Sequence, residues 1–543
     1  MSRGKEIVIK EHLANGLRPD PKLPVDAPYL EACTNLKCSP NGLVNIDVPI
    51  VAADSLTPSN DSRILVGESE VIVMDEDIGN SITMKKMTLS TRALGSDILS
   101  SGTTIDAYDN AGSVSFDDSL GSNWSFIEVN GVWFITNGEA WITTADAWFT
   151  AEWNGGTRDR TLGVASLVVP RGVCMYNDRF VACGMRSEHT AVFTGGTATN
   201  LATLWTDVWE MSKAFSEARG IFSQTDAMDA SYVMIGNPSG GSHDMPFALE
   251  MMLLSGYKAT NHGLVIDAFE TGEMLFVKIP FKGEALAVEQ LGDNIIVYGD
   301  HGVGLITPIR GDSTQAQIAV EYFDVVKILD VGIMSPSAHV GDRTQQTFID
   351  TRGDMWRINA EGQLSKLGYR EYFSALVTAD VNMSFDSREG DIYISDEVTG
   401  YILTPSGLTK SRYVLNGILP YTNGILYGLW TVADSDVSTF LTHPMSMDSR
   451  RVKSVQNMSF ELEGFNSPIA NVDWQMGHGQ AFNSQTGIAL NFEGDVYPNT
   501  AGTSFKIEFS SGTIADGTPD HASLSNIKVR FKEVDKRRLR DLG

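Results

Sequence analysis

Short runs of alternating apolar and polar residues, separated by turn-forming residues, occupy the chain from about residue 60 to residue 440. Residues 124–129 form one such run, which is followed by Asn130-Gly131 and by a second run at 132–135. An Asn-Gly pair between two alternating runs predicts a β-hairpin with a two-residue turn. The same pattern predicts further hairpins, at residues 64–74, 174–183, 286–298, 347–358, 384–395 and 418–430.

The spacing of these hairpins indicates a repeated architecture. Several units lie about 40 to 60 residues apart, the range in which the blades of β-propellers recur. A blade cannot bury both of its faces alone, so blades stack radially around a channel. We therefore expect a mainly β fold in which residues 59–440 form a β-propeller of roughly six to eight blades. Apolar residues near helical spacing predict one inserted helix near 201–219.

The two ends of the chain follow other patterns. Six prolines between Pro19 and Pro49 exclude a long helix, so residues 1–58 are predicted to form an extended N-terminal arm. Apolar residues between the prolines indicate that the arm packs against another part of the protein. Beyond residue 440 the alternation becomes longer and more regular. We expect residues 441–543 to form a small C-terminal β-sandwich, or a platform sheet that the arm completes.

Composition narrows the class of protein. The 543 residues are 42% hydrophobic and 20% charged, which is enough apolar material for several cores. The formal net charge is -27, and no basic stripe that could neutralise phosphates is evident, so sequence-specific nucleic-acid binding is not expected. The first residues lack the apolar run of a signal peptide, and no run of about 18 apolar residues predicts a membrane span.

The four cysteines are Cys33, Cys38, Cys174 and Cys183. They form no Cys-x-x-Cys pair, and no histidine lies near Cys33 and Cys38 at the spacing of a zinc site. We therefore expect buried free thiols in a reducing cytoplasm.

The sequence lacks the common catalytic motifs. It has no nucleophile elbow between a strand and a helix, no phosphate-binding loop, no HExxH motif and no EF-hand loop. We therefore predict that the chain is not an enzyme and uses no cofactor or metal. Asp117, Asp118, Gly121 and Trp124 resemble the Asp-box turn of sialidases, but the glycine falls one residue late.

Two short charged runs are the candidate interaction sites. Asp75, Glu76 and Asp77 form the densest acidic run, and we predict that they line a channel as an acidic ring. A basic run ends the acidic chain, and we predict that it docks onto an acidic partner surface. This basic run consists of Lys536, Arg537, Arg538 and Arg540. For both runs the alternative is a solvated turn or terminus.

Residues at both ends carry a resemblance to a known family. Residues 16–24 read Gly-Leu-Arg-Pro-Asp-Pro-Lys-Leu-Pro, Asn35-Leu36 follows, and residues 40–44 read Pro-Asn-Gly-Leu-Val. The closing strand at 527–534 precedes the basic run. With these residues the chain resembles the tail nozzle proteins of short-tailed, podovirus-type bacteriophages, of the packaged-DNA stabilisation or tail tubular B type.

The resemblance implies a structural virion protein that is synthesised in the host cytoplasm and located in the viral tail. Such proteins form a homo-oligomeric ring, usually sixfold, below the portal and adaptor proteins. The genome is held in the head and ejected through the ring, and a negative lumen would let DNA pass without specific binding. Tail fibres or a tail needle are further possible partners, although no insertion for docking fibres is evident.

Two alternatives stay open from the sequence. Several glycosidases place a pair of carboxylates on a propeller, so a glycosidase or depolymerase acting on host surface sugars has the same fold class. A sugar-binding adhesin is the other alternative, and Trp141, Trp148 and Trp153 in turn-rich sequence motivate it.

Overall fold

A computed structural model describes a subset of the chain's residues, which form strands joined by turns and two short helices. The fold is mainly β, as the alternating pattern predicts. The described residues are 4–23, 27–46, 63–67, 70–77, 81–89, 91, 93–97, 106–109, 124–129, 132–136, 140–143, 171–176, 179–184, 232–236, 274–310, 321–376, 381–396, 398–419, 428–432, 437–446, 451–476, 480–511 and 522–534.

The two helices are α1 (Glu11–Asn15) and α2 (Arg370–Phe373). The strands up to residue 183 are β1 (Lys5–Ile9), β2 (Leu30–Thr34), β3 (Leu36–Ser39), β4 (Gly42–Asn45), β5 (Arg63–Val66), β6 (Val71–Asp77), β7 (Ser81–Thr88), β8 (Ala93–Asp97), β9 (Asp106–Asp109), β10 (Ser125–Val129), β11 (Val132–Thr136), β12 (Ala140–Thr143), β13 (Gly172–Tyr176) and β14 (Arg179–Cys183). The strands from 232 to 386 are β15 (Tyr232–Gly236), β16 (Met274–Lys278), β17 (Ala285–Leu291), β18 (Asn294–Gly299), β19 (Val303–Arg310), β20 (Glu321–Leu329), β21 (His339–Gly341), β22 (Gln345–Ile349), β23 (Met355–Asn359), β24 (Leu364–Gly368) and β25 (Asn382–Asp386). The remaining strands are β26 (Asp391–Ser395), β27 (Gly400–Leu403), β28 (Leu408–Ser411), β29 (Tyr413–Ile418), β30 (Gly428–Val432), β31 (Ser438–Thr442), β32 (Lys453–Glu463), β33 (Ile469–Gln475), β34 (Asn483–Ala489), β35 (Asp495–Val496), β36 (Thr500–Gly502), β37 (Ser504–Ser511) and β38 (Ser523–Glu533).

The chain divides into two compact units. The central unit contains residues 52–367 and 372–382, and the terminal unit contains residues 1–51, 368–371 and 383–543. Residues 383–440 were predicted to belong with the propeller, whereas the structure groups them with the two chain ends. The reason is that β2 pairs with β28, so the sheet that begins at β25 continues into the strands of the chain ends.

The described residues of the central unit form five four-stranded sheets that follow one another along the chain. Four of them are formed in simple chain order, as β5–β8, β13–β16, β17–β20 and β21–β24. The remaining sheet has the order β10-β11-β12-β9, because β9 adds to its far edge. The predicted helix near 201–219 lies outside the described residues.

The predicted hairpins in the central unit are confirmed by strand pairing. Val129 of β10 pairs antiparallel with Val132 of β11. Equivalent antiparallel pairs join β5 to β6, β13 to β14, β17 to β18 and β22 to β23. At 418–430 the structure differs, because β29 begins at Tyr413, where a run of buried residues starts earlier than the predicted strand.

The terminal unit contains a nine-stranded sheet and a seven-stranded sheet, besides the pair β29-β30. The nine-stranded sheet has the order β25-β26-β27-β28-β2-β31-β37-β33-β34, and the seven-stranded sheet has β3-β4-β38-β32-β35 with β1 on β38 and β36 on β32. Phe509 of the first sheet lies 6.0 Å from Phe460 of the second, measured between ring centroids. Both side chains are buried, and each stabilises the fold by roughly 1.5–3 kcal/mol.

The first 46 residues contribute strands to both of these sheets. β2 lies between β28 and β31, with Cys33 opposite Phe440, and β1 pairs with β38, with Lys5 opposite Phe531. β4 pairs with the start of β38. The N-terminal segment, residues 4–46, is therefore part of the sheets of the terminal unit.

Neither of the two described helices is long enough or apolar enough to cross a lipid bilayer.

A glycine substitution tests the pairing of β4 with β38. Gly42 has a φ angle of 125°, and a Cβ atom there would lie 2.2 Å from the carbonyl oxygen of Leu524. We expect Gly42→Ala to lower the free energy of unfolding by roughly 2 kcal/mol in urea titrations. Gly487 is the matched control, because it has a φ of 69° but no atom within 4 Å of its Cβ position. Gly487→Ala should cost only about 1 kcal/mol. Equal losses in the two variants would contradict this packing.

Candidate functional site

Two neighbouring sheets of the central unit, β17–β20 and β21–β24, pack against each other through a shared apolar core. Leu291, Ile296 and Tyr298 from the first sheet meet Phe348 and Ile358 from the second. All five side chains are buried. Alternation along each strand places these residues on the face that meets the other sheet.

A group of polar side chains lies at this contact between apolar residues. Glu289 of β17 lies opposite Ile296 in the strand register and therefore shares its face. The ring of Tyr298 stacks on that of His339 from β21, with centroids 4.7 Å apart and planes 18° apart. Gln346 lies two residues before Phe348 on β22, on the same face. We call Glu289, Tyr298, His339 and Gln346 the Glu289 cluster.

Three buried polar atoms of the cluster lack a hydrogen-bond partner in the described part of the chain. These atoms are the Tyr298 Oη, the His339 Nδ1 and the Gln346 Oε1. The Gln346 amide nitrogen does have an acceptor, the carbonyl oxygen of Asp342 at 3.1 Å. An unsatisfied buried polar atom costs about 1–3 kcal/mol, so three in one place are unusual for a purely structural contact.

Burial shifts the protonation equilibria of the cluster. It raises the pKa of Glu289 to about 7, so this carboxyl group exchanges protons near neutral pH. Burial also lowers the pKa of His339 to about 4, although a hydrogen bond to the backbone of Pro336 acts in the opposite direction. The imidazole is therefore neutral at pH 7. The pKa of Tyr298 is raised by burial and, secondarily, by Glu289. The cluster can therefore donate or accept a proton.

A second buried carboxylate of the central unit has a structural role. Asp350 Oδ1 accepts hydrogen bonds from the backbone N–H groups of Arg352 at 2.8 Å and Asp354 at 2.9 Å. Its Oδ2 accepts a hydrogen bond from the Trp356 indole at 2.9 Å. This carboxylate closes the turn between β22 and β23 and fixes the tryptophan, which is what an Asp-box turn does. The sequence-based prediction identified such a turn only at residues 117–124 and found no second copy; residues 117–123 lie outside the described residues. The spacing of Asp350, Gly353 and Trp356 is nevertheless visible in the sequence.

The structure places the predicted site residues as follows. Asp75, Glu76 and Asp77 are the last three residues of β6, opposite Thr83, Ile82 and Ser81 of β7. Their predicted position on a channel stays a prediction. Lys536, Arg537, Arg538 and Arg540 lie outside the described residues, as do Trp148 and Trp153. Trp141 lies in β12, opposite Tyr108.

The four cysteines are free and buried, as predicted. Burial raises the pKa of Cys38 to about 12 and also raises that of Cys33 well above its ordinary value, so neither is a reactive thiolate at neutral pH. Among the described residues, no three or more histidine, cysteine, aspartate or glutamate side chains are grouped so as to hold a metal ion.

No protein-family model matches the chain, and no curated protein matches it. Solved structures with some similarity include PorZ, a surface component of the type-IX secretion system of Porphyromonas gingivalis, at 8% identity and a TM-score of 0.28. That similarity covers 73% of this chain and 36% of PorZ. A glycoside hydrolase has 10% identity, a TM-score of 0.23 and coverages of 89% and 99%. The Trypanosoma rangeli sialidase has 8% identity, a TM-score of 0.24 and coverages of 97% and 98%. At these TM-scores none of the similarities supports a functional argument.

Glu289 and His339 should give opposite pH dependences of stability. Because its pKa is raised, Glu289 contributes to the stability of the fold; this contribution is fully present below about pH 4.5 and is lost as pH rises through 7. The lowered pKa of His339 gives a contribution that is complete above about pH 6.5 and is lost as pH falls towards 4. Each effect is on the order of 3 kcal/mol, so the two largely cancel in the wild-type protein.

Single substitutions separate the two effects. Between pH 7 and 4.5, Glu289→Gln should lose on the order of 3 kcal/mol more stability than the wild type. Over the same pH interval, His339→Gln should lose less stability than the wild type. Urea unfolding followed by tryptophan fluorescence measures both effects. Parallel pH profiles for Glu289→Gln and the wild type would contradict the assignment.

Proposed function

We propose that the chain is a non-enzymatic structural subunit of the tail of a short-tailed bacteriophage. In this proposal the subunits form a ring below the portal and adaptor proteins, and the genome is held and ejected through the ring. The subunit contains a β-propeller built from the successive four-stranded sheets. The resemblance of residues 16–24, 35–36 and 40–44 to tail nozzle proteins is the observation that carries the proposal.

Those residues have a definite place in the terminal unit. Leu17 N donates to the carbonyl oxygen of Leu408 at 2.8 Å, and Gly16 has a φ of 62° with its Cα against the same carbonyl group. Asn35 has a φ of 60°, and its side-chain amide donates to the carbonyl oxygen of Val437 at 3.0 Å. Gly42 lies against Leu524. The residues that carry the resemblance are thus those that fix the N-terminal segment to its sheets, which supports a shared architecture.

Contacts between edge strands of three central sheets support a radial arrangement. β13 contacts β10, the edge strand of the preceding sheet opposite to β9, and β17, the first strand of the following sheet. Ser125 Oγ donates to the carbonyl oxygen of Val173 at 3.1 Å and accepts from the Val173 N–H at 2.9 Å. Consecutive blades of a propeller bring their first strands together around the axis in this way.

The charge of the chain suits passage of DNA. Six copies of a chain with a formal net charge of -27 would give a strongly negative ring. A negative lumen repels phosphate groups, so that DNA passes through without binding to it.

Electron microscopy tests the proposal. The purified full-length chain is imaged by negative stain, alone and after mixing with a portal–adaptor complex. We expect rings with a central hole that stack end-on against the portal complex. Monomers that form no ring, alone or with the portal complex, would contradict the proposal.

A sugar-cleaving enzyme is the second candidate, and the Glu289 cluster favours it. A protonated carboxyl group with a pKa of about 7 is suited to act as a general acid on a glycosidic oxygen. Glycosidases need a second carboxylate about 5–10 Å away. Burial raises the pKa of Glu289, and no neighbouring carboxylate in the described residues contributes to this shift. This is why the structural role is the first proposal.

Release of reducing ends from host surface polysaccharide tests the second candidate. An enzyme would release them, and Glu289→Gln would reduce the rate at least about 100-fold, as loss of a general acid does. Arg388→Gln is the control, because Arg388 is exposed and belongs to the terminal unit. A wild-type protein that is inert on several polysaccharides would exclude this candidate and leave the structural proposal intact.

A further inference from the structure

Two histidines lie where the N-terminal segment is attached to the terminal unit. His12 is in α1, and His443 directly follows β31. The start of β2 contacts both the segment that holds His12 and the strand that precedes His443. The side-chain amide of Asn15 donates to the carbonyl oxygen of Pro28 at 3.0 Å, and Leu30 N donates to that of Gly16 at 2.7 Å. Leu30 in turn pairs with Thr442, the residue before His443.

Charged side chains from the surrounding elements complete the group. Lys506 of β37 forms a 2.6 Å ion pair with Glu31 of β2. Arg18 lies 3.8 Å from Glu371 of α2, measured between Nη2 and Oε2. The Arg18 Nε is buried and finds no acceptor in the described part of the chain.

The other charges near α1 are accounted for by their contacts. Glu11 precedes His12 on the helix and acts on it. Lys37 of β3, a strand that packs against α1, forms a 2.5 Å ion pair with the buried Asp391. The group around the two histidines thus holds the fixed cations Arg18 and Lys506, with Glu11, Glu31 and Glu371 as the carboxylates.

We propose that His12 and His443 form an acid-sensitive clasp that holds α1 and the start of β2 in the terminal unit. At neutral pH both imidazoles are uncharged, so they repel neither each other nor Arg18 and Lys506, whose charges act on His443. When the solution becomes acidic, both rings take up protons, so His12 and His443 repel each other and His443 is repelled by Arg18 and Lys506. Release of α1 and β2 separates them, because His12 and Arg18 leave with the segment while His443 and Lys506 stay.

Electrostatics sets the direction of the effect. Burial lowers the pKa of His12, and His443 lowers it further against the opposing effect of Glu11. Burial, Arg18 and Lys506 lower the pKa of His443, opposed by Glu31 and Glu371. In the released state both histidines regain their ordinary pKa of about 6.5. The attached state is therefore favoured fully above pH 6.5 and loses this advantage as pH falls below it.

The inference does not depend on the proposed function, since it concerns contacts within one chain. It adds a response to acid that affects the attachment of α1 and β2 to their neighbouring strands. β26, which lies in the same unit and pairs with β27, serves as an internal reference.

Hydrogen exchange followed by mass spectrometry tests the clasp in the full-length protein. Protection factors, which correct for the intrinsic pH dependence of exchange, are measured at pH 7.5 and pH 5. We expect protection of residues 11–17 and 30–34 to fall at pH 5, while that of residues 391–395 stays unchanged. In the double variant His12→Gln/His443→Gln, the fall should disappear.

His301→Gln is the matched control, because His301 is exposed and forms a 2.9 Å contact with Asp300 in the central unit. This variant should behave as the wild type does. Loss of protection at residues 391–395 to the same extent would show general unfolding and overturn the proposal. An unchanged fall in the double variant, or no fall in the wild type, would overturn it as well. The single variant His443→Gln, with a reduced fall, supports the clasp if the double variant is poorly folded.

Discussion

The insertion of β2 between β28 and β31 is the interaction on which the terminal unit depends. β2 pairs in parallel with β28 and antiparallel with β31, so it joins the β25–β28 sheet to the strands of the C-terminal region. Without it, both neighbours would be left with open edges, which expose unpaired backbone groups. The side chains of Leu30 and Cys33 on this strand are buried. A short N-terminal segment thereby sets the arrangement of strands that lie hundreds of residues further along the chain.

The hairpins could be predicted from the sequence because they are local. In each, the turn residues and the alternating runs lie within about 15 residues of one another, and the hydrogen bonds connect neighbours. The pairing of β2 with β28 could not be predicted in this way, since Thr34 and Lys410 are far apart in the chain and their residues carry no signal of partnership. The grouping of residues 383–440 with the two chain ends could not be predicted for the same reason.

The Glu289 cluster also could not be predicted from the sequence. Its members come from β17, β18, β21 and β22, and the isolated residues look like ordinary strand positions. Only the packing of two sheets brings Glu289 near the stacked rings of Tyr298 and His339. The Asp350 turn differs, because its Asp, Gly and Trp follow each other within seven residues and could be recognised as a capped hairpin. The Asp350 turn is built from residues that are close in the sequence, whereas the Glu289 cluster forms only when separate strands pack together.

The pairing of β1 with β38 has a consequence for biosynthesis. Ile9 lies opposite Ile527, so the first strand of the chain cannot find its partner until nearly all of the described chain has left the ribosome. Contacts between such distant residues carry a large loop-closure cost and slow the folding of a domain. The four-stranded sheets of the central unit, whose contacts are mostly local, can form while synthesis continues. The terminal unit is therefore the last part to fold, and until then its unpaired strands need protection from aggregation.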